Sequence, residues 1–346
     1  DHQKMETIYL EATALGLQPI CTSSIAVDHN IANQITIATQ PSSTAIAGVN
    51  FTTQPAYNIR DIFNNLVDDG AHTISLEAYT NIGCTVSSGG TFNQTAKISS
   101  SGNATFSGTN HEKMESIYLK ANATGLTSIC SNAIAVDHNI ANQLAITQQP
   151  STTAEAGIAL VTQPSVQILD VYNNYVDDGA HDLSVTPWTT SDCSTTQSLG
   201  NTTYTAPTTS SGATTFTDLA HQKMENIFYK ISSGVLATVC TDNIAVDHTT
   251  ANKITINQQP ATTAIAGVDF STQPAFDIRD QYDNLVDDGA HTISLAAFTD
   301  SNCSATSGGT FNSTPAATNS GALTFSNVDH QKMETIYLEA TALGLQ

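Results

Sequence analysis

Apolar and polar residues alternate along short stretches of the chain, which is the pattern of half-buried β-strands. Residues 34–40 read Gln-Ile-Thr-Ile-Ala-Thr-Gln, and residues 72–79 read His-Thr-Ile-Ser-Leu-Glu-Ala-Tyr. Such stretches are separated by turn-forming pairs such as Gln40-Pro41, Asp69-Gly70 and Gly89-Gly90, which punctuate strands. No apolar period of ~3.6 residues persists long enough to predict a substantial helix. The pattern therefore predicts an all-β chain.

The strand pattern recurs at fixed intervals along the sequence. His-Gln-Lys-Met-Glu at His2 returns with one change at His111, and unchanged at His221 and His330, at intervals of 109, 110 and 109 residues. Self-similarity at a fixed period indicates tandem structural units. About seven short strands in ~100 residues are typical of a Greek-key β-sandwich. We therefore expect one sandwich per unit.

The first 18 and the last 18 residues have the same sequence. Residues 1–18 read DHQKMETIYLEATALGLQ, and residues 329–346 are identical, whereas the internal copies differ. Identity that returns only after three units indicates a three-domain super-repeat, seen as a window on a longer chain. We expect boundaries near Asp28, Asp137 and Asp247. The expected domains are 1–28 as the C-terminal strands of a preceding domain, 29–137, 138–247, and 248–346 lacking its last strand.

The first and third units carry a longer signature, which the second unit shares from Gln149-Pro150 onward. It runs Ile-Thr-Ile-x-x-Gln-Pro, then Ala-Gly, then Thr-Gln-Pro-x-x-x-Ile-x-Asp-x-x-x-Asn-x-Val, then Gly-x-x-Thr-Phe. This signature resembles bacterial immunoglobulin-like repeats of the invasin and filamin-like kind, which build the stalks of very large surface adhesins. The resemblance covers all units and implies tandem immunoglobulin-like Greek-key β-sandwiches in a linear array, at the cell surface. The usual Asp-x-x-Gly-Asn turn appears here as Asp61-Ile-Phe-Asn64-Asn65.

Six cysteines lie at positions 21, 84, 130, 193, 240 and 303. Their regular spacing permits Cys84–Cys130 with Cys193–Cys240, or a second set that bridges neighbouring units and uses all six. The second set is disfavoured because Cys130 lies seven residues before Asp137 in the linker, roughly 23 Å along a strand, whereas bridged Cα atoms lie within ~7 Å. We expect the first set, with partners for Cys21 and Cys303 in flanking units. Disulfides place a protein in an oxidising, extracytoplasmic compartment.

The chain is strongly acidic. Ten Lys and Arg stand against 31 Asp and Glu in 346 residues, a formal net charge of −21. Few cations argue against nucleic acid, whose phosphates must be neutralised, and against anionic membrane surfaces. No stretch of the sequence approaches the ~20 apolar residues of a spanning helix. The expected partners are flanking repeats of the same chain or identical subunits, with a host or cell-surface ligand as a further candidate.

Acidic residues recur in the linkers and in the Val-Asp-Asp-Gly-Ala-His turns. In sandwiches entered at one end and left at the other, they gather at the junctions between units, together with the histidines of the linker, the turn and the Met-Glu motif. Ca²⁺, which takes oxygen ligands, would relieve their repulsion. There are two alternatives to calcium. The first, which we favour, is that the turns are solvated and the histidines hydrogen-bond across the junction. The second is a transition metal bound by the histidines. The candidate calcium ligands are Asp28, Asp61, Asp68, Asp69, Asp137, Asp170, Asp177, Asp178, Asp247, Asp280, Asp287 and Asp288.

The sequence lacks common catalytic motifs. It has no Gly-x-Gly-x-x-Gly, phosphate loop or Gly-x-Ser-x-Gly, and His111-Glu-Lys-Met-Glu is half a zinc-protease motif without its second histidine. The repeated lysine of this motif is either a polar turn residue beside a glutamate, which we favour, or a partner for an isopeptide bond. We therefore expect no enzyme.

Two functions remain after these exclusions. The first is a structural one: a segment of a long, repetitive cell-surface stalk or extracellular fibre made of rigidly linked immunoglobulin-like domains. The second is an adhesin module that recognises a glycan or protein through its sandwich loops. The middle unit diverges around Trp188, the only tryptophan, and this residue is either a packing residue, which we favour, or a ligand platform.

Overall fold

The computed structural model describes residues 1–209 and 211–345. Within these ranges the chain forms β-strands, turns and irregular segments, and no helix. Accordingly, the described residues include no helix with the length and apolar character needed to cross a membrane. The prediction of an all-β chain is confirmed.

The strands are short and follow the repeats. The N-terminal segment contains β1 (Glu6–Ile8), β2 (Glu11–Ala12), β3 (Ile20–Cys21) and β4 (Ile25–Val27). The first full repeat contains β5 (Ala32–Thr39), β6 (Thr44–Ile46), β7 (Ala56–Asp61), β8 (Thr73–Tyr79), β9 (Phe92–Asn93), β10 (Lys97–Ile98), β11 (Asn103–Thr105), β12 (Asn110–His111), β13 (Glu115–Asn122), β14 (Ile129–Cys130) and β15 (Ile134–Asp137).

The later repeats keep most of these elements, with one more short strand in the second repeat and fewer strands in the third. The second repeat contains β16 (Gln143–Gln148), β17 (Thr153–Glu155), β18 (Ser165–Leu169), β19 (His181–Asp182), β20 (Ser184–Trp188), β21 (Thr202–Thr203), β22 (Thr208–Thr209), β23 (Ala213–Thr215), β24 (Ala220–His221), β25 (Glu225–Ser232), β26 (Val239–Cys240) and β27 (Ile244–Asp247). The third contains β28 (Lys253–Gln258), β29 (Ala275–Arg279), β30 (Thr292–Phe298), β31 (Phe311–Asn312), β32 (Ala316–Ala317), β33 (Ala322–Thr324), β34 (Asp329–His330) and β35 (Tyr337–Ala342).

The first full repeat is an immunoglobulin-like sandwich. Strands β5, β7 and β11 form one antiparallel sheet, and β10, β8, β13, β15 and β6 form the other in that order. The chain changes sheets between β5 and β6, next to Pro41, which has no N–H to donate to a ladder. Strand β6 then runs parallel to β15, with Ala135 opposite Thr44 and Asp137 opposite Ile46. Two sheets with these crossing connections define the immunoglobulin-like fold.

The other two repeats show related pairings. In the second, β17 runs parallel to β27, and β25 pairs with both β27 and β20. In the third, β28, β29 and β33 form one sheet, and β32, β30 and β35 form another with β35 at its edge. Residues 259–274 of the third repeat form no strand, although β6 and β17 occupy this position in the other repeats.

Apolar side chains at every second position of a strand face the core between the two sheets. Along β13, Ile117, Leu119 and Ala121 are fully buried, while the residues between them are partly exposed. They belong to one apolar cluster with Tyr57 and Phe106, whose rings meet edge to face with centroids 5.9 Å apart. Burial of these side chains is the main favourable contribution to folding.

By its internal contacts the chain divides into two compact units. One contains Asp1–Gln143 with Ile168–Asp177, and the other contains Leu144–Gln167 with Asp178–Gln346. The expected domain boundaries at Asp28, Asp137 and Asp247 stay predictions. Asp28 and Asp137 and the residues that surround them fall in the first unit, and Asp247 and its surroundings fall in the second. Each junction between sequence repeats is therefore described within one unit.

Candidate functional site

A buried carboxylate organises the loop that follows β18. Asp170 is fully buried, and its oxygens accept four hydrogen bonds of 2.8–2.9 Å, from the backbone N–H groups of Tyr172, Asn174 and Asn139 and from the Asn174 side chain. Burial acts to raise the pKa of Asp170, but these hydrogen bonds outweigh it and lower the pKa. Because Asn139 lies in the linker between repeats, the carboxylate ties that linker to the following repeat.

The asparagine four residues after this aspartate reaches across the junction. Asn174 Oδ1 accepts a hydrogen bond from the Met114 N–H at 2.8 Å, and its Nδ2 donates to the Glu112 carbonyl at 2.8 Å. The second hydrogen of the same Nδ2 is donated to Asp170. We call Asp170, Asn174 and their backbone partners at positions 112, 114 and 139 the junction clamp.

The same clamp occurs at the other two junctions. In each, the asparagine accepts from the N–H of the methionine 60 residues before it at 2.8–3.0 Å, and donates to the carbonyl two residues before that methionine at 2.8 Å. The buried aspartate again accepts from the linker backbone. These residues are Asn65 with Met5, Gln3 and Asp61, and Asn284 with Met224, Gln222 and Asp280.

The loop conformation explains the departure from the usual turn sequence. Asn64, Asn173 and Asp283 have φ values of 70°, 65° and 70°, in the left-handed region that favours glycine. Asn and Asp are the residues that best tolerate this region after glycine. The chain therefore adopts the same turn conformation without a glycine. The asparagine after the positive-φ residue then lies where it can form the hydrogen bonds of the clamp.

An aromatic side chain covers the glycine that precedes each internal junction. Gly48 has a φ of 73°, and a Cβ built on it would lie 2.0 Å from the Tyr172 hydroxyl oxygen. Gly157 has the same relationship to Tyr282, at 2.1 Å. Only a residue without a side chain fits under these rings. The Ala-Gly pair of the sequence signature is therefore part of the junction.

Each linker histidine lies against carboxylates of the Asp-Asp-Gly turn. His248 Nε2 lies 3.4 Å from an oxygen of both Asp287 and Asp288 and 3.9 Å from Asp247, while its Nδ1 lies 2.8 Å from the Thr249 carbonyl. A doubly protonated ring donates to both sides. Burial lowers the pKa of His248, but the Thr249 carbonyl and the three carboxylates outweigh it, so the pKa is raised.

The first linker repeats this arrangement. His29 Nε2 lies 3.3 Å from Asp69 and 3.5 Å from Asp68. The hydrogen bond to the Asn30 carbonyl raises the pKa of His29, and the charges of Asp69, Asp28 and Asp68 add to this against the opposing effect of burial. In a chain with few Lys and Arg, the carboxylates of the turn thus favour the protonated form of this histidine.

The twelve aspartates predicted as calcium ligands fall into two groups. Asp61, Asp170 and Asp280 belong to the clamps, where N–H donors occupy their oxygens. The others lie in the linkers and in the exposed turns. Among described residues, Asp247, His248 and Asp287 bring three potential ligand atoms within 4.8 Å of one another. Metal binding stays a prediction, which a calcium titration of the melting temperature would test. The linker and turn aspartates are Asp28, Asp68, Asp69, Asp137, Asp177, Asp178, Asp247, Asp287 and Asp288.

The histidine of the Met-Glu motif belongs to a separate cluster. His111 is fully buried, and its Nε2 lies 2.9 Å from Glu115 Oε1. Glu115 also accepts from Ser88 Oγ at 2.5 Å and pairs with Lys113 Nζ at 3.0 Å. Burial acts to raise the pKa of Glu115, but the bonds from Ser88, Lys113 and His111 outweigh it and lower the pKa. Lys113 is thus a polar residue beside a glutamate. The same cluster recurs as Ser198, His221, Lys223 and Glu225, and as Ser307, His330, Lys332 and Glu334.

This cluster differs from a nucleophile–base–acid triad. In a triad, one ring nitrogen of the histidine faces the nucleophile and the other faces the acid. Here Nε2 of His111 faces both Ser88, at 3.3 Å, and Glu115. The ring is closed off by Gly90, where an added Cβ would lie 2.7 Å from the His111 Cε1. The arrangement joins strands, and the His111 side chain is fully buried.

Two disulfides stabilise the first two full repeats. Cys84 is bonded to Cys130 and Cys193 to Cys240, with Cα–Cα distances of 6.3 and 6.2 Å. Cys21 is a free exposed thiol and Cys303 a free, half-buried one. Disulfides indicate an oxidising environment. The pairing of Cys21 and Cys303 with flanking units stays a prediction.

Trp188, the candidate ligand platform, makes contacts within its own sheet. It lies opposite Phe228 on the neighbouring strand, and its Nε1 donates to Thr186 Oγ1 at 3.1 Å. Lys230 Nζ lies 5.4 Å from the ring centroid, a cation–π distance. These contacts favour a packing role.

No family model and no curated protein match the sequence. Among solved structures, the chain is similar to the FN1–FN3 domains of chicken CNTN1, with 9% identity, a TM-score of 0.36, and coverage of 90% of this chain and 92% of that one. It is also similar to Yersinia pseudotuberculosis InvD, with 15% identity, a TM-score of 0.29, and coverage of 86% and 83%. A third similar structure is the titin I-band fragment I67–I69, with 8% identity, a TM-score of 0.30, and coverage of 90% and 98%. The assignment of tandem immunoglobulin-like repeats rests on the strand pairings.

Proposed function

We propose that this chain is a segment of a long extracellular stalk or fibre in which immunoglobulin-like domains are linked rigidly. The observation that carries the proposal is the junction clamp, which recurs with the same partners at three junctions. A flexible tether does not need the same contacts at every junction. A stalk of fixed length needs them, because each of its junctions must resist bending.

The linker itself supports this function. The carbonyl of Asp137 accepts from the Ala47 N–H at 2.8 Å, and Asn139 Nδ2 donates to the Ala47 carbonyl at 2.7 Å. His138 Nε2 lies 3.4 Å from Asp177. Rotation about this linker would break these bonds together with the clamp, and the linker contains no Gly or Pro. A hinge of this kind costs more to bend than a Gly/Ser-rich linker, which behaves as a flexible coil.

An oxidising location fits the two disulfides, and we place the stalk outside the cell, at its surface. The adhesin alternative has less support, because Trp188 is engaged by Lys230 and Thr186. For a stalk, the partners would be flanking repeats and identical subunits, whereas an adhesin would bind a ligand through its loops.

Spin-label distances across one junction test the proposal. In a background with Cys21→Ser and Cys303→Ser, nitroxide labels at positions 199 and 268, both exposed and both in the second compact unit, should give a narrow distance distribution. Asn284→Ala removes the bonds to Met224 and Gln222 and should broaden it. The matched control is Asn257→Ala, which removes a hydrogen bond within the sheet to Asp277 and should leave the distribution unchanged. A broad distribution in the parent chain would refute the rigid stalk.

A further inference from the structure

The histidine of the linker between the second and third repeats presents one ring nitrogen to three carboxylates. His248 Nδ1 lies 2.8 Å from the Thr249 carbonyl oxygen. Because a carbonyl oxygen can only accept, Nδ1 carries the proton of the neutral ring. Nε2 then carries a lone pair, and it faces oxygens of Asp247, Asp287 and Asp288 at 3.9, 3.4 and 3.4 Å. Acceptors that face one another in this way need a cation between them.

The histidine is held in place, whereas the carboxylates have room to turn. The His248 side chain is 7% exposed, and hydrogen bonding of the second ring nitrogen to a carbonyl is the arrangement that orients metal-bound histidines. Asp247 Oδ1 accepts from the His248 N–H at 2.8 Å, which keeps this carboxylate beside the ring. The side chains of Asp247 and Asp287 are 70% and 53% exposed. Their remaining lone pairs can therefore turn towards an ion without breaking a buried contact.

The spacing of these atoms suits a metal ion better than a hydrogen bond. A charge-assisted N–H···O bond measures about 2.7–2.9 Å, which is shorter than the 3.4 Å from His248 Nε2 to Asp287. Two ligand atoms of a tetrahedral zinc ion, each ~2.0–2.1 Å from the metal, lie about 3.3–3.4 Å apart. Among the described residues, Asp247, His248 and Asp287 form the one group of three such ligand atoms within 4.8 Å of one another. All three residues belong to the second compact unit.

We propose that Asp247, His248 and Asp287 bind a zinc ion, which joins the linker to the Asp-Asp-Gly turn of the third repeat. Nε2 supplies a nitrogen ligand and the two carboxylates supply oxygen ligands, which leaves the fourth position to Asp288 or to water. Imidazole nitrogen suits zinc and similar transition metals, whereas calcium takes oxygen ligands. The ring nitrogen among the carboxylates therefore decides the class of metal.

The other two linkers contain the same arrangement of ring and turn. In both, Nδ1 of the histidine lies 2.8 Å from the carbonyl of the next residue, and Nε2 lies 3.3–3.5 Å from oxygens of the turn. The histidines are His29 and His138, and the turn residues are Asp68, Asp69 and Asp177. The position of the ring against the turn is thus a property of the repeat, and the third junction adds the close third ligand.

A proton is the competing occupant of Nε2. Burial lowers the pKa of His248, but the Thr249 carbonyl and the carboxylates outweigh it, so the metal-free ring carries a charge. Zinc must displace this proton, as any metal does when it binds a protonated histidine. A doubly charged ion then replaces a singly charged one between the ring and the turn.

Calorimetric titration of zinc chloride into the full chain, stripped of metal by a chelator, tests the proposal. The background carries Cys21→Ser and Cys303→Ser, which remove free thiols, and His29→Gln and His138→Gln, which leave one linker histidine. We expect one saturable site per chain. The melting temperature should rise with the zinc concentration, because an ion that binds the folded chain stabilises it. Zinc that does not bind, or binds without saturation, would overturn the proposal.

Substitutions in the same background assign the ligands. His248→Gln should abolish the site. Asp287→Asn should weaken zinc binding by more than about tenfold, which is the least that loss of a group that merely orients a ligand costs. The matched control is Asp269→Asn, which alters an exposed aspartate outside the group and should leave the affinity unchanged. Circular dichroism without zinc shows that each variant is folded. Equal losses in the two aspartate variants would show that zinc responds only to the net negative charge.

The nitrogen ligand is tested by a separate measurement. Two-bond ¹H–¹⁵N spectra of the chain labelled with ¹⁵N-histidine should show Nδ1 of His248 protonated, and Nε2 unprotonated and shifted, once zinc is added. Calcium chloride should neither produce this shift nor displace zinc. Calcium that displaces zinc, or zinc that binds while the His248 signals stay unchanged, would exclude the ring nitrogen as a ligand and overturn the site.

This inference does not rest on the rigid stalk, and the two fail separately. Zinc binding together with broad spin-label distances between positions 199 and 268 would overturn the rigid stalk alone. Narrow distances in a chain that binds no zinc would overturn the zinc site alone.

Discussion

The hydroxyl oxygen of Tyr172 lies where the side chain of any residue other than glycine at position 48 would begin. A Cβ on Gly48 would lie 2.0 Å from that oxygen and 2.2 Å from Cζ of the ring. A tyrosine from one sequence repeat thus dictates the residue type in the repeat before it. The pairing of Tyr282 with Gly157 repeats the constraint.

Gly48→Ala should destabilise the chain, because the new methyl group displaces the Tyr172 ring and the positive φ disfavours alanine. We expect a loss of about 2–4 kcal/mol, from overpacking and backbone strain together. Chemical denaturation followed by tyrosine fluorescence measures it. Gly267→Ala is the matched control, since its φ is 75° and its Cβ position is open. Equal losses in the two variants would show that the ring contact contributes nothing.

Asp280→Asn should destabilise the second unit by about 1–3 kcal/mol at neutral pH, because an amide cannot accept all four N–H donors that face this position. Hydrogen bonds lower the pKa of Asp280 below its usual 3.8, against the effect of burial. Its contribution is therefore present above pH 3.8 and lost as the pH falls through the folded-state pKa. Urea denaturation from pH 2 to 6 checks this. The variant should lose less stability on acidification than the parent, while the exposed control Asp269→Asn should follow the parent curve.

His248 should give a pH dependence of opposite sign. Its pKa is raised above 6.5 in the folded chain, so its contribution to stability is present below pH 6.5 and is lost as the pH rises through the folded-state pKa. His248→Gln should therefore narrow the stability difference between pH 6 and pH 9. Denaturation at both pH values compares it with His291→Gln, a half-buried histidine outside the linker. An unchanged difference in the His248 variant would contradict the charged histidine.

Removal of one disulfide should weaken the unit that contains it. The replacements Cys84→Ser and Cys130→Ser open a loop of sequence separation 46, worth about 4 kcal/mol in the chain-entropy model. Differential scanning calorimetry should show a larger downward shift for the transition of the first unit than for that of the second unit. Cys193→Ser with Cys240→Ser should give the reverse pattern. Equal shifts of both transitions in either variant would show that the two units unfold together.

The strands of the fold could be predicted from the sequence because burial along a strand alternates locally. Ile117, Leu119 and Ala121 are visible as apolar residues at every second position, and each is buried. The same local pattern cannot decide where a strand begins. Residues 6–8 form strand β1, yet the identical residues 334–336 form none. The difference arises from the partner available to each segment.

The junction clamp could not be predicted, because Asn174 and Met114 are 60 residues apart and an Asn-Asn pair is typical of a solvated turn. A comparison of the repeats does contain one indication of the clamp. The residue four positions after the buried aspartate is asparagine in every unit, whereas the residue before it changes from Asn173 to Asp283. The histidine cluster was hidden for a similar reason, since Ser88 lies 23 residues from His111.

The recurrence of the clamp has a thermodynamic consequence for arrays of different length. Each full repeat shares its clamp with a neighbour, so unfolding one repeat also removes a stabilising interface from the next. Stability in such a chain is a sum of intrinsic and nearest-neighbour contributions. Adding repeats should therefore raise the melting temperature steeply at first and then towards a plateau, and unfolding should begin at the terminal repeats, which have one neighbour instead of two.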